Sequence, residues 1–251
     1  MDAVVGALAA QHAELADLLD GLTEPDWHAP TRCEGWDVAD VVLHLAQTDE
    51  MAIASATGRF PEVIAGLAPG WGDPASVDDG AASMVAGERG LPGAALAERW
   101  SSGAHRLVGV LDAMDLSTRV DWVAGQLSAR TLATTRLAET WIHAGDVAGA
   151  LGRELPATDR LRLIARLAWR TLPYAFTSAG RTMAGPVAFR LVSPEGDEWD
   201  FVPDEPALTT ISGPAAELCA VAARRIEPSI TSLRGVGPDA EAVLTLVRTY
   251  A

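Results

Sequence analysis

The segment that most constrains the fold is a predicted helix that carries ionisable side chains among apolar residues. Glu139 and His143 are four positions apart, so in a helix both side chains lie on one face, one turn from each other. Leu137, Trp141 and Ile142 leave little of this helix free to face solvent. Because a carboxylate near a buried face needs a partner, the fold must bring a polar or cationic group to this helix.

A third candidate for the same site, His44, lies far upstream in an apolar helical run. The start of that run is well marked, since Asp37 is a predicted N-cap and Asp40 falls at N3, where negative charge suits the helix dipole. Two histidines and one carboxylate can hold a metal ion and leave coordination positions open, as catalytic metals require. Taken alone, His44 is also typical of a core histidine whose ring is hydrogen-bonded. Glu139 and His143 taken alone are also typical of an ordinary surface pair one helical turn apart. The residues alone leave both interpretations open.

Composition excludes several classes of partner. The chain has 251 residues, 49% of them hydrophobic, enough for a substantial core. Its 34 acidic residues outnumber 19 basic ones, all arginine, and the formal net charge of −15 should repel nucleic acid and anionic lipid. The absence of lysine excludes a lysine Schiff base. With neither a basic leader nor an apolar span at its N-terminus, we expect a cytoplasmic chain that contacts no membrane.

The two cysteines, Cys33 and Cys219, form no Cys-x-x-Cys pair, so we expect neither a disulfide framework nor a thiolate metal cluster. We expect neither cysteine to lie near the histidine motifs. That expectation favours a thiol supplied as a cofactor over a cysteine nucleophile of the protein.

Helical periodicity dominates the first part of the chain. Helices are predicted over 2–20, 37–57, 77–88, 92–111, 128–151 and 158–172. Residues 58–76 are rich in glycine and proline and are predicted to form a long loop of the kind that often serves as a lid or binding loop, although its role is open. Residues 121–125 are predicted as a second loop.

Beyond Pro173 the pattern changes to alternating polar and apolar residues. Strands are predicted over 187–192, 198–202 and 208–212, followed by helices over 214–223 and from Asp239 to the C-terminus. We therefore predict a mainly α chain, with a helical bundle over 1–172 and a small α+β domain over 173–251.

Two segments resemble the signatures of a known family, the mycothiol-dependent maleylpyruvate isomerases. Gly35 to Leu45 follows the pattern G-W-x-V-x-D-x-x-x-H-L, and Glu139 to Asp146 follows E-x-W-x-H-x-x-D. The similarity spans nearly the whole chain and is greatest to an actinobacterial branch known only as metal-binding proteins. It implies a DinB-like up-down four-helix bundle followed by a sterol-carrier-like α+β domain. It also implies a divalent metal, usually zinc, bound by His44, Glu139 and His143.

Three further residues are candidates for the site. Asp146 is one turn past His143 and can orient its ring as a hydrogen-bond acceptor, although a plain surface aspartate fits the pattern equally well. Arg224 and Arg225, near a helix end, can bind a carboxylate in forked geometry or simply compensate the helix dipole. The resemblance implies that an arginine late in the second domain helps to bind substrate or thiol, and these two are the nearest equivalents. The family shows Gly-Arg where this chain has Ala-Arg-Arg.

The expected function is that of a divalent-metal-dependent enzyme acting on a small electrophilic or carbonyl-containing metabolite. The resemblance implies a mycothiol-dependent S-transferase or isomerase, with Asp146 and Arg225 assisting catalysis and Arg224 and Arg225 binding the cofactor. Two alternatives stay open: a thiol-independent lyase, cyclase or hydrolase of small-molecule biosynthesis, and a non-catalytic metal- or ligand-binding protein. The chain is expected to be a monomer or a homodimer.

Overall fold

The structure, a computed structural model, describes residues 1–71, 77–123 and 125–249 of the chain. They form two compact units, Met1–Leu155 and Pro156–Ala251. The sequence predicts a domain boundary between residues 172 and 173. The helix Leu161–Arg170, which precedes that position, packs against the helix Ala215–Ala222 within the second of these units.

The first unit is a helical bundle with a small hairpin. Its helices are α1 (Ala3–Leu19), α2 (Glu24–Trp27), α3 (Val38–Ala56), α4 (Phe60–Trp71), α5 (Val77–Glu88), α6 (Gly93–Ala113) and α7 (Ala129–Ala150). The four long helices α1, α3, α6 and α7 form the bundle, in which α1 and α3 each pack against both α6 and α7. Trp100, Leu45 and Leu137 are among the fully buried side chains at its centre. The predicted helical bundle is confirmed.

The start of α3 is held by the capping residues that the sequence predicts. The Asp37 carboxylate accepts the Asp40 N–H at 2.9 Å, and the Asp40 carboxylate faces the Asp37 N–H at 3.4 Å, which completes a capping box. Arg89 donates to both oxygens of Asp40 at 2.8 Å and to the Gly35 carbonyl at 2.9 Å. These contacts fix the loop that leads into α3.

Two predicted loops are wrong. Residues 60–71, within the predicted loop 58–76, form α4, and residues 72–76 lie outside the described residues. Pro61 is compatible with this helix because it lies in the first turn, where a missing N–H leaves no intrahelical bond unmade. Within the predicted loop 121–125, Asp121, Trp122 and Gly125 belong to strands, since β1 (Arg119–Trp122) pairs antiparallel with β2 (Gly125–Ser128). Ala124 lies outside the described residues.

The second unit combines helices with a four-stranded sheet. Its elements are α8 (Leu161–Arg170), α9 (Leu172–Ser178), β3 (Val187–Val192), β4 (Glu198–Phe201), β5 (Thr209–Pro214), α10 (Ala215–Ala222), β6 (Arg234–Val236) and α11 (Ala240–Leu246). The strand order is β4-β3-β5-β6, with β3 parallel to β5 and both outer pairs antiparallel. The predicted fold class, mainly α with a smaller α+β part, is therefore confirmed. In the part of the chain that the structure describes, no helix combines the length and hydrophobicity needed to cross a membrane.

Candidate metal centre

Two neighbouring helices of the bundle bring together the three residues that the sequence singles out as ligands. His44 lies on α3, and Glu139 and His143 lie on α7, which packs against α3. Nε2 of His44 is 3.5 Å from Oε2 of Glu139, and Nε2 of His143 is 3.7 Å from the same oxygen. One potential ligand atom from each residue lies within 4.8 Å of the other two. The ring nitrogens of both histidines thus face a single carboxylate oxygen.

The distances between these atoms are close to the distances between the ligand atoms of a zinc ion. Ligand atoms bound at about 2.0–2.1 Å in tetrahedral geometry lie about 3.3–3.4 Å apart. The observed 3.5 and 3.7 Å are close to that spacing, so a cation would need little movement of these side chains. Two imidazole nitrogens and one carboxylate oxygen also leave a coordination position for a further ligand. The residues present therefore fit a divalent cation.

Burial and charge favour the protonation states that metal ligation needs in Glu139 and His44 and oppose the one it needs in His143. Burial alone would raise the pKa of Glu139, but the hydrogen bond from His44 and the positive charges of His143 and Arg136 outweigh it and hold that pKa at about 2. Burial lowers the pKa of His44, which favours the neutral imidazole. Glu139 is consequently an ionised carboxylate at neutral pH, as a metal ligand must be.

His143 behaves differently in the metal-free protein. Burial by itself would lower its pKa, but hydrogen bonding with Asp146 and Cys33, together with the negative charges of Glu139 and Asp146, raises the pKa to about 9. His143 is therefore protonated at neutral pH when no cation is bound. A cation that binds Nε2 must displace this proton.

Asp146 occupies the place predicted for it. Its Oδ2 accepts a hydrogen bond from Nδ1 of His143 at 3.0 Å, and only 3% of the residue is exposed. A proton held on Nδ1 leaves the lone pair of the neutral ring on Nε2, the nitrogen that faces Glu139. The interpretation of Asp146 as a plain surface residue does not hold, because the side chain is buried.

The expectation that no cysteine lies near the motifs is wrong. The Sγ atom of Cys33 is 3.3 Å from Oδ2 of Asp146, and Cys33, His143 and Asp146 form a second group whose ligand atoms lie within 4.8 Å of one another. Sequence reasoning missed this contact because Cys33 precedes α3 and is far from Asp146 along the chain. The available signal was its position three residues before Trp36, in the loop that opens the first motif.

A buried ion pair lies beside the candidate ligands and was also missed. Arg136, one turn before Glu139 on α7, donates from Nε to Oδ1 of Asp49 at 3.0 Å and from Nη2 to Oγ1 of Thr48 at 2.8 Å. Both charged residues are almost completely buried, with exposures of 2% and 0%. The pair joins α7 to α3 next to the candidate ligands.

The two arginines proposed for cofactor or substrate binding lie in the second unit. Arg224 has a backbone φ of 59°, in the left-handed region, and its guanidinium donates to the Thr245 carbonyl at 2.7 Å. Arg225 donates to the Ala223 carbonyl at 2.9 Å. Their part in binding remains a prediction.

Comparison with known proteins identifies a family. Residues 8–148 match the family described as the mycothiol maleylpyruvate isomerase N-terminal domain. Two uncharacterised proteins from two strains of Mycobacterium tuberculosis are each 35% identical to this chain, over 98% of its length and 95% of theirs.

Solved structures show the same fold. The crystal structure of a mycothiol-dependent maleylpyruvate isomerase aligns with a TM-score of 0.61 at 18% identity, covering 90% of this chain and 89% of that one. A histidine-to-alanine mutant of such an isomerase aligns with a TM-score of 0.60 at 19% identity, covering 89% and 88%.

Proposed function

The chain belongs to the family of the mycothiol maleylpyruvate isomerase N-terminal domain, and from that premise we propose that it is a metal-dependent enzyme acting on small electrophilic metabolites. In this proposal His44, Glu139 and His143 bind one divalent cation, most readily zinc. A low-molecular-weight thiol, mycothiol in the family, serves as cofactor. The reaction is then an S-transfer or a thiol-assisted isomerisation.

The observation that carries the proposal is the convergence of both Nε2 atoms on one oxygen of Glu139. An ordinary surface pair of glutamate and histidine would not bring a second histidine from another helix to the same oxygen. Nor would it bury both rings to 8% exposure. Such an arrangement is costly unless the polar atoms find a common partner, and a cation is the partner that suits all three.

When bound, the cation supplies Lewis acidity, which lowers the pKa of a thiol or polarises a carbonyl group. Side chains of the protein orient the two histidines. Asp146 keeps the proton of His143 on Nδ1, and the Trp36 ring, centred 5.2 Å from that of His44, restricts the rotation of the His44 ring. The Glu139 side chain keeps 20% of its surface exposed, which leaves the group open on one side to an incoming ligand.

Arg224 and Arg225 are proposed to bind the anionic groups of the thiol or of an acidic substrate. A guanidinium suits a carboxylate because two parallel N–H groups can donate to both oxygens. Replacing Arg225 by lysine keeps the charge and removes the forked geometry, so it should raise the KM for an acidic substrate more than it lowers kcat.

Metal content of the purified protein tests the proposal first. About one zinc ion per chain is expected in the wild type by mass spectrometry, and almost none in His44→Ala. His105→Ala is the matched control, since His105 is an exposed histidine on α6 whose ring bonds to the Ser101 carbonyl. The His105→Ala variant should bind as much zinc as the wild type. A wild-type protein that takes up no divalent cation after dialysis against zinc would refute the metal site.

The role of the thiol is tested by calorimetry on the same samples. Mycothiol should release heat of binding with the zinc-loaded wild type and none with His44→Ala. Zinc binding without thiol binding would refute the thiol-dependent reaction while leaving the metal centre in place.

A further inference from the structure

The contact between Cys33 and Asp146 joins a loop to the helix that carries two of the three candidate ligands. The residues are 113 positions apart in sequence, yet Sγ and Oδ2 are separated by 3.3 Å. The same oxygen of Asp146 accepts the Nδ1–H of His143 at 3.0 Å. One carboxylate oxygen therefore links the thiol of Cys33 to the ring of His143.

Backbone hydrogen bonds of the loop hold Cys33 in place. The Cys33 carbonyl accepts the Trp36 N–H at 3.0 Å, closing a tight turn in which Gly35 has a φ of 74°. The Cys33 N–H donates to the hydroxyl of Thr31 at 3.1 Å, and that hydroxyl donates to the Trp36 carbonyl at 2.9 Å. These backbone contacts fix the position of Cys33 beside α7, where its thiol donates to Asp146.

The second group of potential ligands, formed by Cys33, His143 and Asp146, does not suit a cation of its own while the first group holds one. A neutral imidazole has one nitrogen lone pair and one N–H. If Nε2 of His143 binds a cation beside Glu139, Nδ1 carries the proton and donates it to Asp146. The thiol then acts as a hydrogen-bond donor to the carboxylate.

We propose that Cys33 is a positioning residue of the metal centre. By donating its thiol proton to Asp146, it keeps the carboxylate turned towards Nδ1 of His143 and so holds Nε2 ready for the cation. This inference rests on the proposed metal-binding function. Hydrogen-bond partners of metal-ligating histidines typically change metal affinity by about 10- to 100-fold when they are removed.

Zinc dissociation constants for a set of cysteine variants test the proposal by competition with a chromophoric chelator. Cys33→Ala should weaken zinc binding by up to about 10-fold, the lower end of the range for a direct partner of the histidine, because Asp146 keeps its place but loses a donor. Cys33→Ser should bind nearly as tightly as the wild type, since a hydroxyl also donates to a carboxylate. Cys219→Ala, which removes the buried cysteine of the second unit, is the matched control and should not change the affinity.

Two spectroscopic measurements separate positioning from other roles. In zinc-loaded protein, the nitrogen chemical shifts of His143 should report a proton on Nδ1 in the wild type and in Cys33→Ser, and a broadened or shifted signal in Cys33→Ala. In cobalt-substituted wild type, the absorption should lack sulfur-to-cobalt charge transfer, because the thiol is not a ligand.

The results that would overturn the inference are distinct from those that would overturn the metal site. Unchanged zinc affinity and unchanged His143 shifts in Cys33→Ala would refute the positioning role alone. Sulfur-to-cobalt charge transfer in the wild type would make Cys33 a ligand and refute it as well. A wild type that binds no divalent cation would refute the metal centre, and the inference with it.

Discussion

At the scale of single residues, the buried pair of Arg136 and Asp49 is the contact most sensitive to substitution. Asp49→Ala leaves the guanidinium buried without its carboxylate, so we expect the free energy of unfolding to fall by about 3–5 kcal/mol. The double variant Asp49→Leu/Arg136→Met should lose less, because neither charge remains buried. Urea unfolding of the metal-free proteins measures both values. A single variant that loses no more than the double variant would contradict the expectation.

His12 gives the bundle a pH-dependent stability. The residue is 6% exposed, its ring packs edge-on against Trp100, and its Nε2 is 3.8 Å from Asp49, too far for a hydrogen bond. Burial lowers its pKa below the ordinary value of 6.5, although the negative charge of Asp49 opposes this. The unfolded chain then binds a proton more readily than the folded one below pH 6.5. This residue's contribution to stability is therefore lost as the pH falls from 6.5 towards the folded pKa.

A comparison of the wild type with His12→Gln isolates this effect. Relative to the variant, the wild type should lose stability as the pH is lowered from about 7.5 to about 5.5, by at most about 1.4 kcal/mol per pH unit. Urea unfolding in steps of pH measures the difference. A difference that does not change with pH would show that His12 has the same pKa in both states.

At the scale of elements, the capping residues of α3 make that helix predictable, whereas local composition conceals α4. Asp37 and Asp40 marked the start of α3, and the structure has both halves of that capping box. In contrast, the glycine and proline content of residues 58–76 predicts a loop where α4 forms. In that prediction the content of glycine and proline counted for more than the apolar residues Val63 and Ile64, which suit a helix face. Strand β6 has three exposed residues and hence no alternation to detect.

The cap of α3 is itself a quantitative prediction. Asp37→Ala removes the acceptor for the Asp40 N–H and should cost about 1 kcal/mol of stability. Asp37→Asn keeps an oxygen at that position and should cost less. Thermal unfolding of the two variants makes the comparison, and equal losses would mean that the charge of Asp37, rather than its hydrogen bond, stabilises the helix.

The candidate site is predictable only in part, because some of its residues are marked by local helix spacing and others meet only through packing. The spacing of Glu139 and His143 follows from helix geometry, and the apolar run marks His44, so these residues could be found from the sequence. Two other contacts depend on how the helices and the loop before α3 pack. They are the contact between Cys33 and Asp146 and the pair of Arg136 and Asp49. No local pattern encodes such contacts.

At the scale of the whole molecule, every residue of the proposed metal centre belongs to one unit. His44, Glu139 and His143, with Asp146 and Cys33 beside them, all lie within Met1–Leu155. The proposed cation site is therefore complete within the first unit. Arg224 and Arg225, whose proposed role is to bind the thiol or substrate, lie in the second unit.

Anomalous diffraction at the zinc absorption edge, from crystals of the zinc-loaded protein, tests the central claim most directly. We predict one strong peak per chain, bonded to Nε2 of His44, to the carboxylate of Glu139 and to Nε2 of His143, at distances of about 2.0–2.2 Å. The peak should disappear in His44→Ala. A peak at Cys33 and Nδ1 of His143 instead, or no peak in either residue group, would contradict the account.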